Sequence, residues 1–223
     1  MKTATNRILV GTLWMVMSGL WGCSSPEGVL PWRSSSWSVA TQQQLAYPPF
    51  LVQPRAAENY RQAGLAARQQ ADFDTAIADL KTAVALHPNH VPGYVLLGWT
   101  QHLADQREAA IATLNQGLAL EADHVPALNA LGIAYLVNGD IEAAIATHTQ
   151  AKTLNSGNKI AYYNLSLAYQ QVPDLSAAID HAVRATELEP FNPHPWVALA
   201  LAHWSDNDLT AAQDAYRQAL RLD

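Results

Sequence analysis

Residues 91–124, VPGYVLLGWTQHLADQREAAIATLNQGLALEADH, and residues 125–158, VPALNALGIAYLVNGDIEAAIATHTQAKTLNSGN, are two versions of one 34-residue pattern. The same frame continues outward without a gap, to 57–90 on one side and to 159–192 and 193–223 on the other. Position 20 of the frame is Ala76, Ala110, Ala144, Ala178 and Ala212. Position 8 is Gly64, Gly98, Gly132, Ser166 and Ala200, and position 27 is Ala83, Gly117, Ala151, Ala185 and Ala219. Position 7 is Ala63 and then Leu97, Leu131, Leu165 and Leu199, while position 30 is leucine in all five rows, from Leu86 to Leu222. So many columns in phase mark an internal repeat, and a period of this size marks stacked supersecondary units.

The period and the residue types resemble the tetratricopeptide repeat (TPR), a helix–turn–helix unit with a W-x-x-L-G-x-x-Y…A…P pattern. The aromatic of position 4 stands as Tyr60, Tyr94, Tyr162 and Trp196, with Leu128 as the exception. Tyr135 and Tyr169 keep position 11, and Pro88 and Pro190 keep position 32, where Ala122 and Ser156 depart from the pattern. The resemblance implies an all-α, right-handed superhelical solenoid of five hairpins over residues 57–223. Small side chains at positions 8 and 20 are expected to let the two helices of a hairpin approach closely. Large ones at 4, 7 and 30 are expected to fill the layer between hairpins. Turns are expected where helix signals fail: Gly139-Asp140 and Pro173-Asp174 within hairpins, His87-Pro88-Asn89 and 189–193 between them. The last helix is expected over Leu209–Leu222, with an outer face made partly polar by Gln213, Arg217, Gln218 and Arg221.

In this family the first helix of each hairpin lines a concave groove through positions 2, 5, 9, 12 and 13. Position 9 is Leu65, Trp99, Ile133, Leu167 and Leu201, all apolar. Around it the resemblance places Val95, His102, Asn129, Tyr163, Gln170 and Trp204, with Arg61 and Arg68 in the first hairpin. An apolar stripe of this kind suits an amphipathic helix or an extended apolar peptide, with polar groups fixing the register. Two readings of position 9 stay open, a binding stripe or core between adjacent first helices. The basic-and-asparagine cluster with which some family members capture a carboxyl terminus is missing, because Leu65 and Ile133 stand where asparagine is needed.

The amino terminus has a different character. Lys2 and Arg7 precede an apolar run from Ile8 to Leu20, too short for a span of about 20 residues but right for a secretory signal. Leu20-Trp21-Gly22-Cys23 resembles a bacterial lipoprotein signal, with Trp21 where a small residue is usual. That resemblance implies cleavage after residue 22 and a lipid on Cys23, the only cysteine of the chain. Several acyl chains anchor stably, each buried CH₂ contributing about 0.8 kcal/mol. Residues 23–56 then read as the lipidated cysteine followed by a flexible, Ser-, Gln- and Pro-rich tether.

Net charge is −6, with charged residues only 14% of the chain. Such a balance gives no general attraction to nucleic acid. His90 and His124 share a column with Asn158 and Asn192 at the turns between hairpins, which is turn chemistry, and the other histidines are scattered. No zinc-protease, hydrolase-elbow or phosphate-loop motif occurs. The expectation is therefore a protein without catalytic residues, metal or cofactor: an envelope-anchored adaptor or assembly factor for a cell-surface machine, at an outer membrane more readily than an inner one. The alternative is a structural spacer that pairs with itself through its last hairpin.

Overall fold

The computed structural model describes residues 53–172 and 174–222. The signal-like segment 1–22, Cys23 and the tether up to residue 52 lie outside them, as does Pro173. Ten helices and no strand occur among the described residues: α1 Pro54–Gln69, α2 Phe73–Leu86, α3 Val91–Leu103, α4 Arg107–Leu120, α5 Val125–Asn138, α6 Ile141–Leu154, α7 Lys159–Tyr169, α8 Leu175–Leu188, α9 Pro193–Ser205 and α10 Leu209–Leu222. They form five antiparallel hairpins, each packed on the next. The fold is an all-α solenoid.

The chain starts its helices with the chemistry each end needs. A proline sits in the first turn of α1, α3, α5 and α9, where its missing N–H is no loss. The N-caps of α3, α5, α7 and α9 are His90, His124, Asn158 and Asn192, one column of the frame. His124 Nδ1 accepts from the Ala127 N–H at 3.2 Å, and Asn158 and Asn192 accept likewise through Oδ1. His90 makes no such bond. Each joint between hairpins also repeats one backbone bond: the N–H of His90, His124, Asn158 and Asn192 donates to the carbonyl of His87, Glu121, Asn155 and Glu189.

Turns within hairpins share a different device. Ala71, Asp105, Gly139 and Asn207, all at position 15, take the left-handed conformation with φ of 59°, 58°, 89° and 62°. Only Gly139 does so without steric cost. The fourth hairpin has Pro173 at this position, and a proline ring holds φ near −65°. There α7 ends early, at Tyr169, and Asp174 caps α8 by accepting from the Ala177 N–H.

Close packing follows from the small columns. Ala76, Ala110, Ala144 and Ala178 are fully buried. Position 8 packs against position 24, and their sizes compensate. A methyl group on Gly64, Gly98 or Gly132 would stand within 2.7 Å of Leu80, Leu114 or His148. Where position 8 is the larger Ser166, position 24 is the small Ala182. Position 7 is buried from Leu97 to Leu199, and position 4 adds a latch: Tyr94 Oη donates to the Pro88 carbonyl at 2.9 Å and Trp196 Nε1 to that of Pro190 at 3.1 Å. One expectation holds only in part. At position 30 Leu86 and Leu188 are half-buried, whereas Leu120 and Leu154 are nearly half exposed.

The first helices run closer together than the second ones. α3 touches α5, α5 touches α7 and α7 touches α9, whereas no comparable contact joins α2, α4, α6, α8 and α10 to one another. The stack therefore curves with first helices on its inner side.

Candidate protein-binding groove

Charge is the first property of that inner side. Across α3, α5, α7 and α9 the only formally charged side chain is Lys159, and it is ion-paired with Glu189. Only α1 differs, with Arg55, Glu58, Arg61 and Arg68. Glu58 is bound by Arg61 and Gln62, which hold its carboxyl well below the usual carboxylate range.

Three of the depressions along the first helices have mainly apolar walls. One of about 350 Å³ is lined by Leu65, Val95, Trp99, Arg61, Pro92 and Pro126. A second, about 390 Å³, is lined by Ile133, Ile160, Tyr163 and the Lys159–Glu189 pair, with His194 on its far wall. The third, about 280 Å³ and almost wholly apolar, is lined by Val197, Leu201, Trp204, Leu209 and Tyr216 in the last hairpin. All three are open clefts able to accept bulky side chains.

Position 9 answers to both readings left open by the sequence. Leu65, Trp99, Ile133 and Leu167 are half-buried, and Leu201 is exposed. Trp99 shows why: one side packs on the cluster of Leu114, Ala130, Leu131 and Ala134, while the ring also lines the first depression. His102 stacks on Trp99 with ring centroids 5.0 Å apart, and its Nδ1 is buried without a partner. Burial, more than the nearby Arg107 charge, lowers the pKa of His102. Val95 and Tyr163 are half-buried in the first two depressions, and burial raises the Tyr163 phenol. Trp204 is 67% exposed.

Two expected groove residues are placed otherwise. Asn129 is buried, and its amide exchanges two hydrogen bonds with that of Asn158, at 2.9 and 3.2 Å. It ties α5 to the cap of α7, with both polar atoms of its amide engaged and buried. Gln170 donates to the Ser166 and Ala198 carbonyls, bridging α7 and α9. Three exposed apolar residues belong beside the groove and were not singled out from the sequence: Leu103 and Val137 at position 13, and Ile160 at position 2. Their columns were the available signal.

Among the described residues no three His, Cys, Asp or Glu side chains come together as metal ligands, and no helix is long and apolar enough to cross a membrane.

Family models of the tetratricopeptide repeat match residues 67–132 and 163–223, together more than half of the chain. The chain is a tetratricopeptide-repeat protein. Solved structures similar to it include the MamA protein, 25% identical with a TM-score of 0.66 over 76% of this chain and 93% of that one. PilF of Pseudomonas aeruginosa is 19% identical, with a TM-score of 0.68 over 76% of this chain and 77% of its own. A thermophilic TPR protein of Thermus thermophilus is 20% identical, with a TM-score of 0.64 over 75% of this chain and 91% of its own. No curated protein matches the sequence. The TPR array is a protein-interaction module by family, and its groove is the surface on which an interaction reading rests.

Proposed function

We propose that this TPR protein is an envelope-anchored scaffold that holds a helix or an extended apolar segment of another protein in its groove. The observation that carries the reading is the near absence of charge on α3, α5, α7 and α9, combined with half-buried Trp99, Ile133, Tyr163 and Leu167 along them. A curved, uncharged lining broken by side-chain-sized clefts suits anchors of an apolar helix face. The signal-like segment before Cys23 supports a lipid anchor, and Ser24 after it an outer-membrane location. Held at a fixed distance from that surface, the groove raises a partner's local concentration, which is how an assembly factor for a cell-surface machine acts. A self-pairing spacer is the second reading, favoured by the exposed Leu201, Trp204, Leu209 and Tyr216 of the last hairpin.

The test compares partners recovered from solubilised membranes by wild type, by Trp99→Ala with Leu167→Ala, and by Trp204→Ala, whose exposed side chain leaves folding undisturbed. A specific partner lost in both variants is expected, together with release of Cys23→Ser from membranes. Equal recovery by all three proteins removes the groove reading, and a stable dimer broken by Trp204→Ala replaces it with the spacer.

A further inference from the structure

The first helices all end at one edge of the array, where the turns within hairpins lie. This edge is both apolar and acidic. Leu103 and Val137 close the ends of α3 and α5, and Trp204 that of α9, each more than 40% exposed. Immediately beyond them run the carboxylates. Position 16 is aspartate in four of five rows, Asp72, Asp140, Asp174 and Asp208, with Gln106 as the exception, and position 18 adds Asp74, Glu108 and Glu142. Asp105 and Asp206 fall in the turns themselves. Capping explains why Asp72, Asp174 and Asp208 are there, since each accepts a backbone N–H of its own helix. It does not neutralise the edge. Arg68, Arg107, His102 and His203 also lie at this edge, but among its described carboxylates only Asp105 is ion-paired, with Arg107. The opposite edge, where hairpins join, is mixed: Arg55, Lys152 and Lys159 lie beside its acids.

Resting on the scaffold reading above, we infer that the groove selects an amphipathic segment of a partner protein whose apolar face is flanked on one side by lysine or arginine. The apolar face lies along Trp99, Ile133 and Leu167, and the basic flank lies along the edge where the first helices end. Charge complementarity decides between occupants. A second copy of this chain carries net charge −6 and sets carboxylate against carboxylate along this edge. An apolar segment with an acidic flank meets the same repulsion, and like-charge juxtaposition is how interfaces suppress wrong partners. A cationic flank instead lies within a Debye length, about 10 Å at 0.1 M salt, of several carboxylates at once.

Two synthetic amphipathic peptides of equal length test this, with the same Leu and Trp face and with either lysine or glutamate along one flank. Binding of each, fluorescein-labelled, to the purified full chain is read by anisotropy over a salt series. The lysine peptide is expected to bind about tenfold tighter at low salt, a difference of about 1.4 kcal/mol, and to lose that advantage as salt rises. Glu108→Gln with Glu142→Gln, which breaks no ion pair, shrinks the ratio without moving the glutamate peptide to weaker binding. Trp204→Ala weakens both peptides alike. Equal affinity without salt dependence, or tighter binding of the glutamate peptide, overturns the charge selection and leaves the groove standing. Binding of neither peptide overturns the groove reading as well.

Discussion

The second and third hairpins and the fifth are built on one frame, yet they keep their apolar side chains in different surroundings. At position 24, Leu114 and His148 are sealed, whereas Tyr216 is 52% exposed. Position 9 changes in the same sense, from half-buried Trp99 and Ile133 to exposed Leu201. The reason is the next first helix: α5 covers the cluster around Leu114 and Trp99, while no described helix packs on the outer side of α9 and α10. Position 21 marks the difference in composition, being Ile77, Ile111, Ile145 and Ile179 and then Gln213. Burial in this array is thus conferred by a neighbour, and stability resides at the joints, as it does in quasi-one-dimensional proteins.

The largest expected effect separates the two regions directly. Leu114→Ala removes a buried side chain from a joint and is expected to cost about 2–5 kcal/mol. Tyr216→Ala, at the same position of the last hairpin, is expected to cost less than about 1 kcal/mol. Urea unfolding followed by circular dichroism measures both. Similar losses mean that the two hairpins are equivalent and that something covers α10 in solution.

Much of this was legible in the sequence, for reasons visible in particular residues. Constant columns such as Ala76 to Ala212 record one contact repeated five times, so the hairpins and their stacking could be read from them. Position 24 could not, because it holds Leu80, Leu114, His148, Ala182 and Tyr216 and shows no constant type. What stays constant there, through the first four hairpins, is the fit to position 8, a property of a pair. Position 30 misled in part, since its constant leucine is half-buried at Leu86 and Leu188 but exposed at Leu120 and Leu154. The groove was legible as a set of columns but not residue by residue, because half-buried Trp99 and buried Asn129 occupy the same inner helices. The left-handed turns at Ala71 and Asp105 carry no glycine signal, and only their register with Gly139 betrays them.

His148 sharpens the contrast through pH. It is fully buried against Gly132, with neither ring nitrogen hydrogen-bonded, and burial pushes its pKa from 6.5 down to about 4. The fold therefore holds the neutral ring, while the unfolded chain protonates near pH 6.5. Stability from this site is complete above that pH and is lost as pH falls from there towards 4, by about 3 kcal/mol. His148→Leu, which copies Leu80 and Leu114, is expected to raise stability and to flatten the unfolding profile between those two pH values. A wild-type profile already flat in that window means that the ring reaches water or a partner, and that the third joint is looser than the second.

The smallest effect concerns what belongs to the groove at all. Asn129 lies on an inner helix between groove residues, but its amide is fully engaged with Asn158, whose Oδ1 also caps α7 through the Ala161 N–H. Asn129→Ala leaves the Asn158 side-chain NH2 buried and unpaired, a cost of about 1–2 kcal/mol. Affinity for the lysine-flanked peptide is expected to stay unchanged, since the Asn129 side chain is buried against Asn158. The last hairpin supplies the control, because Trp204→Ala is expected to do the reverse and weaken the peptide without altering stability. If Asn129→Ala instead releases the peptide and unfolds at the same urea concentration as wild type, the asparagine pair opens to the ligand. The line between joint and groove then runs through it, one residue deeper than burial alone places it.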